Sequence, residues 1–323
     1  MDKLLEVKNL KLYYHTVAGA VRALDDVSFD LKKGETLGLV GESGCGKTTT
    51  GVALLKMPSP PGRIEEGSQI ILDGRDIMTL SEKEIRKNVR WEEVSMVFQG
   101  AMNCLTPVYT IGKQMLETLQ EHRDMDRKQA VDLITEYLGL VGLPPEVMGR
   151  YPHEMSGGMK QRIVIATALF LKPKLVILDE PTTALDVIVQ AQIINLLKKL
   201  KKTFDLSFIF ITHDLSLEAE VSDRICVMYA GKIAELGTNG QIYGAQGPMH
   251  PYTEKLLQAT PLLRKKVDSL SYIPGTPPDL IDPPKGCRFH PRCHKVMDKC
   301  SREEPPLLEI EPGHMVACWR CGK

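Results

Sequence analysis

The chain has 323 residues, of which 43% are hydrophobic and 25% charged, a composition of soluble globular proteins with one large or two modest domains that argues against disorder. Forty-one Lys and Arg balance forty-one Asp and Glu, so there is no global field to hold a polyanion, and nucleic acid is not an expected partner. The longest apolar runs, around Ile163 to Leu171 and Leu206 to Ile211, fall far short of the roughly 20 residues that span a bilayer. Met1 to Leu10 shows no basic segment followed by an apolar run, so the chain is expected to stay in the cytoplasm.

In chain order, Leu4 to Tyr14 and Val21 to Leu31 alternate apolar and polar residues, which predicts an antiparallel layer with one solvated face. Thr36 to Val40, Val94 to Phe98, Leu175 to Leu178, Ser207 to Ile211 and Arg224 to Tyr229 read as nearly continuous apolar strands. Helical patterns such as Met115 to Leu119 and Ala130 to Leu138 lie between them. Apolar strands alternating with helices predict a parallel sheet covered on both faces. The lysine-rich stretch Leu196 to Lys202 fits an amphipathic helix with Ile193, Leu196, Leu197 and Leu200 facing a core. Twelve of the 21 prolines follow residue 240, which marks a tail of different construction. The expected division is therefore 1–240 and 241–323, with about 91–165 as a helical subdomain.

Three segments carry chemistry. The strand Thr36 to Val40 runs into Gly41-Glu-Ser-Gly-Cys-Gly-Lys-Thr48, which fits the phosphate-loop pattern and is followed by a helical run. Its glycines let backbone N–H groups turn onto phosphates, Lys47 supplies a point charge, and the Thr48 hydroxyl suits magnesium. Leu175 to Glu180 is an apolar strand ending in two carboxylates: Asp179 is suited to hold Mg2+, and Glu180, pointing differently, to orient or deprotonate a water. Ser156-Gly157-Gly158 opens a helix whose apolar face runs through Met159, Ile163, Ala166 and Phe170, and such a start presents N–H groups at the positive end of a dipole. An ordinary Ser N-cap would look the same. Two anion-binding helix starts with one nucleotide loop suggest that the second serves a nucleotide on another copy, which makes dimerisation part of the mechanism.

In their order, these segments make residues 3 to 240 resemble the ATPase subunit of ABC transporters, with a P-loop NTPase core of RecA-like α/β type, an antiparallel β layer and a helical subdomain. The resemblance implies Tyr14 stacking on adenine, with Tyr13 as its rival. It implies a nucleotide site of Gly41, Ser43, Gly44, Cys45, Gly46, Lys47, Thr48 and Thr49, with Ser156, Gly157, Gly158 and Asp186 across a dimer. It assigns Mg2+ to Thr48, Gln99 and Asp179, and catalysis of ATP hydrolysis to Glu180, the switch residue His213, Gln99 and Lys47. Two departures, Cys45 in place of the commoner Ser and Met159 in place of Gln, remove no catalytic group. Met155 at the start of the signature, the run after Gln99, and the tail motifs His250-Pro-Tyr-Thr and Gly286-Cys-Arg-Phe-His-Pro-Arg-Cys are similar to the oligopeptide/dipeptide importer branch.

Five of the eight cysteines fall in the last 37 residues. In a reducing compartment, gathered thiols read as a metal site rather than as disulfides. Cys287, Cys293, Cys300 and Cys318 are separated by 5, 6 and 17 residues, wide gaps that suit a [4Fe-4S] cluster better than Zn2+. Zinc, Cys321, His290 and His294 are the alternatives. The tail is thus expected to be a small irregular metal-binding domain. The resemblance implies a second ATPase subunit, identical or paralogous, two membrane permeases, an external solute-binding protein acting indirectly, and a peripheral place on the cytoplasmic face of the membrane. Peptides are the implied cargo, with oligosaccharides or nickel in related systems. The rival reading is a non-transport ABC ATPase acting on nucleic acid or ribosomes, whose usual tandem cassettes or long coiled coil are missing here. A nucleotide-gated scaffold without turnover would lack Glu180 or His213.

Overall fold

The computed structural model describes residues 2–259 and 273–321. The chain forms two compact units, Met1–Leu80 with Ile209–Lys323, and Ser81–Phe208.

The first unit begins with β1 (Lys3–Thr16) and β2 (Gly19–Lys32), paired antiparallel with Leu5 opposite Leu31 and Leu12 opposite Leu24. Those four leucines, with Leu10 and Val27, are buried, so the alternation in sequence becomes one covered face and one wet face. All five residues of β3 (Thr36–Val40) are buried, and the strand leads through the glycine loop into α1 (Lys47–Leu54). Three short strands, β4 (Gly62–Ile64), β5 (Gln69–Leu72) and β6 (Arg75–Asp76), complete a five-stranded sheet ordered β2-β1-β5-β6, with β4 also on β1.

The second unit opens with α2 (Glu82–Asn88), started by a Ser81–Glu84 capping box. Next come β7 (Val94–Val97), α3 (Ile111–His122), α4 (Arg127–Leu140), α5 (Gly157–Ala168), β8 (Leu175–Asp179) and α6 (Val187–Phe204). β7 and β8 pair in parallel from Val94 opposite Leu175 to Val97 opposite Leu178. Tyr137 of α4 meets Phe170 edge-on at 5.4 Å and stacks on Phe204 at 6.0 Å, which closes the helices over an aromatic core. Ile193, Leu196, Leu197 and Leu200 of α6 are buried as the spacing requires, leaving Lys199 and Lys202 exposed.

The chain then returns through β9 (Ser207–Ile211), α7 (Leu215–Val221), β10 (Arg224–Tyr229), β11 (Lys232–Thr238), α8 (Asn239–Tyr243) and α9 (Pro251–Gln258). The last strands are β12 (Leu308–Glu311) and β13 (His314–Val316), and the order in the first unit runs β12-β13-β11-β10-β3-β9. β10 lies parallel to β3, whereas β11, β13 and β12 extend the sheet antiparallel. The proline-rich tail therefore adds strands to the sheet and shares its core. Phe289 is 2% exposed and packs edge-on to Tyr229 at 5.1 Å and beside Tyr252 at 5.3 Å. Glu235 of β11 accepts a hydrogen bond at 2.7 Å from His314 of β13, with both side chains buried. Burial alone would raise the Glu235 carboxyl, but bonds from His314 and the N–H groups of Met249 and His250 hold it below its usual value.

Candidate functional site

In the first unit the phosphate loop joins β3 to α1. Gly46, the residue before the helix, has φ +110, and a Cβ there would lie 2.7 Å from the Ala23 carbonyl oxygen, so glycine is required for both reasons. Lys47 is 8% exposed, and its ammonium donates to the carbonyls of Gly41 at 2.8 Å and Glu42 at 3.0 Å. Thr48 is exposed and Thr49 half-buried at the first turn of α1, a placement suited to a phosphate–magnesium pair. Cys45 is buried, and burial pushes its thiol pKa up, so a neutral sulfur occupies this position of the loop.

Tyr13 and Tyr14 are neighbours on β1 and so point to opposite faces. The Tyr13 hydroxyl donates to Asp25 at 2.7 Å, and burial followed by this bond pushes its pKa up to about 12. Tyr14 lies half-buried beside Gly62 of β4, whose added Cβ would stand 2.8 Å from its ring. His213 is exposed at the turn from β9 into α7, a helix capped by Asp214, which accepts from the Ser216 and Leu217 N–H groups at 2.8 and 3.2 Å.

In the second unit, Asp179 ends β8 at 1% exposure, and Glu180 follows with φ +49, a left-handed conformation that a glutamate seldom adopts. The turn aims the Glu180 carboxylate at two donors. Gln99, just after β7, donates to it at 3.1 Å, and the Thr183 hydroxyl at 2.8 Å. Gln99, expected as a magnesium ligand, is thus in direct contact with the expected base, 81 residues away in sequence. Thr183 was not singled out from the sequence, although its place three residues after Glu180 in a Pro-Thr-Thr turn is the signal that could have found it.

Ser156 caps α5, accepting from Met159 N–H at 3.3 Å, and Asp186 caps α6, accepting from Val189 N–H at 3.0 Å. Both side chains are exposed. The two helix starts pack together, since a Cβ on Gly158 would lie 2.6 Å from Val189 Cγ1.

The cysteine segment departs from expectation. Among the described residues no group of three or more His, Cys, Asp or Glu stands so as to hold a metal ion. Cys287, Cys293, Cys300 and Cys318 instead line one cavity of about 10 Å³, room for a water at most. Burial, reinforced by the other three sulfurs, pushes Cys287 up to about 12, so it holds its proton, whereas the neighbouring Cys321 thiol draws Cys318 below the usual thiol value. The donor type suits a cluster, but the spacing found here does not close around one.

Residues 24–183 match the family described as ABC transporter, and residues 234–300 match the oligopeptide/dipeptide transporter C-terminal region. The chain is 48% identical over 323 residues to the oligopeptide transport ATP-binding protein OppD of Bacillus subtilis, covering 99% of this chain and 89% of that protein. The chain belongs to the ABC transporter ATP-binding proteins. Within that family it is also similar to the dipeptide transport ATP-binding protein DppD of B. subtilis, 46% identical over 99% of the chain and 95% of the relative. For OppD of Escherichia coli the identity is 45%, over 99% and 94%. Among solved structures, a dimeric ATP-binding cassette in a post-hydrolysis state with ADP and Pi aligns with TM-score 0.64 and 26% identity, over 73% of this chain and 98% of that one. The structure of cbiO1 from Clostridium perfringens, part of the ABC transporter complex cbiONQ, aligns with TM-score 0.65 and 25% identity, over 76% and 92%. The fold is thus that of an ABC ATPase, a family in which ATP hydrolysis is coupled to transport, and no helix among the described residues is long and apolar enough to cross a membrane.

Proposed function

We propose that this chain is the ATP-hydrolysing subunit of an importer for oligopeptides or dipeptides, working as a dimer of ATPases, identical or paralogous, beneath two membrane permeases that receive solute from an external binding protein. It sits on the cytoplasmic face of the membrane. Supporting the cargo are the relatives, which are oligopeptide and dipeptide transport proteins; oligosaccharides are the alternative cargo, and a role on nucleic acid or ribosomes has no support among those relatives.

The observation that carries the chemical reading is the Glu180 carboxylate, turned by a left-handed backbone and held by Gln99 and Thr183. Lys47 and the loop N–H groups take the phosphates, Tyr14 the adenine, and Thr48, Asp179 and Gln99 the magnesium ion, which when bound neutralises charge on the transferring phosphoryl group. Glu180 orients and deprotonates the attacking water, and His213 contacts the phosphoryl group released. Ser156, Gly157, Gly158 and Asp186 serve the nucleotide of the opposite subunit. Two carboxylate bonds bias Glu180 toward one orientation before the water arrives, so little reorganisation remains for the chemical step.

Glu180→Gln tests this reading. The variant keeps shape and the Gln99 and Thr183 neighbours but loses the base, so Mg-ATP binding persists while steady-state hydrolysis falls by about 10² to 10³. Near-normal turnover would defeat the assignment. As a finer reading, we place a [4Fe-4S] cluster, in preference to Zn2+, on Cys287, Cys293, Cys300 and Cys318. Support comes from four thiols on one cavity; no step of hydrolysis is assigned to it.

A further inference from the structure

The polar atoms of Glu42, second residue of the phosphate loop, are all engaged, and the partners of its side chain and amide lie far along the chain. Its two carboxylate oxygens accept from the Arg292 guanidinium at 2.6 and 2.9 Å. Its N–H donates to the Tyr252 hydroxyl at 2.8 Å, and its carbonyl accepts from Lys47 at 3.0 Å and from the Cys45 N–H at 3.2 Å. Arg292 is itself fixed. Its side chain is 6% exposed, its Nε donates to Pro274 at 2.8 Å, and its terminal nitrogens also reach the Tyr229 hydroxyl at 3.2 Å and the Gly275 carbonyl at 3.3 Å. A planar five-donor fork can satisfy this set, and a lysine ammonium cannot.

Resting on the ATPase reading above, we propose that Arg292 is a positioning residue for nucleotide binding. The C-terminal segment holds the phosphate loop in its binding shape through the Arg292–Glu42 pair, with Tyr252 as second support. A loop held from its second residue presents Gly44 to Thr48 to phosphate already ordered, whereas a released loop loses conformational freedom on binding and binds more weakly. The cost falls on affinity, because Arg292 touches no reacting group.

The proposal predicts a specific pattern in the full-length chain. With a fluorescent ATP analogue and Mg2+ as probe, Arg292→Gln and Glu42→Gln each raise Kd and KM about tenfold and leave kcat at saturation within about twofold. The double variant is no weaker than either single one, since both remove the same contact. Arg292→Lys gives little rescue. A purely structural role for Arg292 would lower the unfolding midpoint and leave Kd unchanged, and that result overturns the proposal, as does additivity of the two substitutions. If Arg292→Gln does not fold, Glu42→Gln decides alone, and unchanged affinity there is fatal. Wild type and Lys47→Ala run in parallel. A wild-type chain that binds no Mg-ATP defeats the ATPase reading and the clamp together. Normal binding by wild type and by both clamp variants, with loss in Lys47→Ala, defeats the clamp alone.

Discussion

Glu218, on α7, is a carboxyl in a place that disfavours charge. It is 0% exposed, its carboxyl accepts from the Ser222 hydroxyl, and it fills the space that a side chain on Gly38 would need. Burial pushes its pKa from 4.5 up to about 8, against the opposing Ser222 bond. The folded state therefore keeps a proton that the unfolded chain has released between about pH 4.5 and pH 8. Stability contributed by this residue falls as pH rises through that window and is level above it. Glu218→Gln removes the effect, so at pH 8 the variant should be more stable by on the order of 3 to 4 kcal/mol and near wild type at pH 4. Urea unfolding at the two pH values measures this, and an equal pH slope in variant and wild type would contradict it. Glu218 in turn helps burial to raise the Tyr243 hydroxyl, so the comparison is made within one buffer series.

At the scale of elements, the signature serine caps a helix, and that task can be separated from the one proposed for it at a partner's nucleotide. As the N-cap of α5 it is worth about 1 kcal/mol to the helix, whether or not a nucleotide approaches it. If its second task is to meet the phosphate of a partner subunit, Ser156→Arg should cost that stability, spare Mg-ATP binding by the isolated subunit, and stop dimer formation and hydrolysis. Lys47→Ala should instead abolish binding by the isolated subunit. Light scattering with ATP in an otherwise slow Glu180→Gln background reads the dimer, and equal loss of monomer binding in the two variants would sink the idea. The start of α5 and the carboxylate pair at the end of β8 were legible because each is a local pattern. The strands β3, β9 and β10 were legible because continuous burial forces apolar runs with sharp ends. β4, β6, β12 and β13 were not, since two to four residues carry no period, and Leu308 and Glu309 on β12 are exposed. The Arg292–Glu42 pair spans 250 residues and leaves no local trace; only the fold brings it together.

At the scale of the whole molecule, the question is what holds the cysteine segment in place. A short proline-rich tail has too little area for a core of its own, which predicts dependence on a metal. The structure supplies another source of stability. Phe289, Tyr252 and Tyr229 form one buried aromatic group with Val40, Val227 and Ile225 of the sheet, and the Glu235–His314 pair ties β13 to β11. These contacts need no metal, and Cys287 and Cys293 pack against the same aromatic group. A cluster, if bound, must draw the sulfurs to new positions and release the proton that burial keeps on Cys287. Protein purified without oxygen should then be brown, with iron and sulfide in matching amounts. Cys→Ser at 287, 293, 300 or 318 should bleach it and raise hydrogen exchange around the sulfurs, while β10 and β11 keep their protection because they are paired with each other, and β10 also with β3, inside the sheet. Cys321→Ser should be tolerated if Cys318 is the fourth ligand; the reverse would move the site by three residues. Zinc would leave the protein colourless but metal-loaded. Anaerobic protein free of both metals, with all five C-terminal thiols open to a labelling reagent, would refute a metal site and leave the tail held by the aromatic group, the Glu235–His314 hydrogen bond and the buried Arg288 and Arg292 contacts.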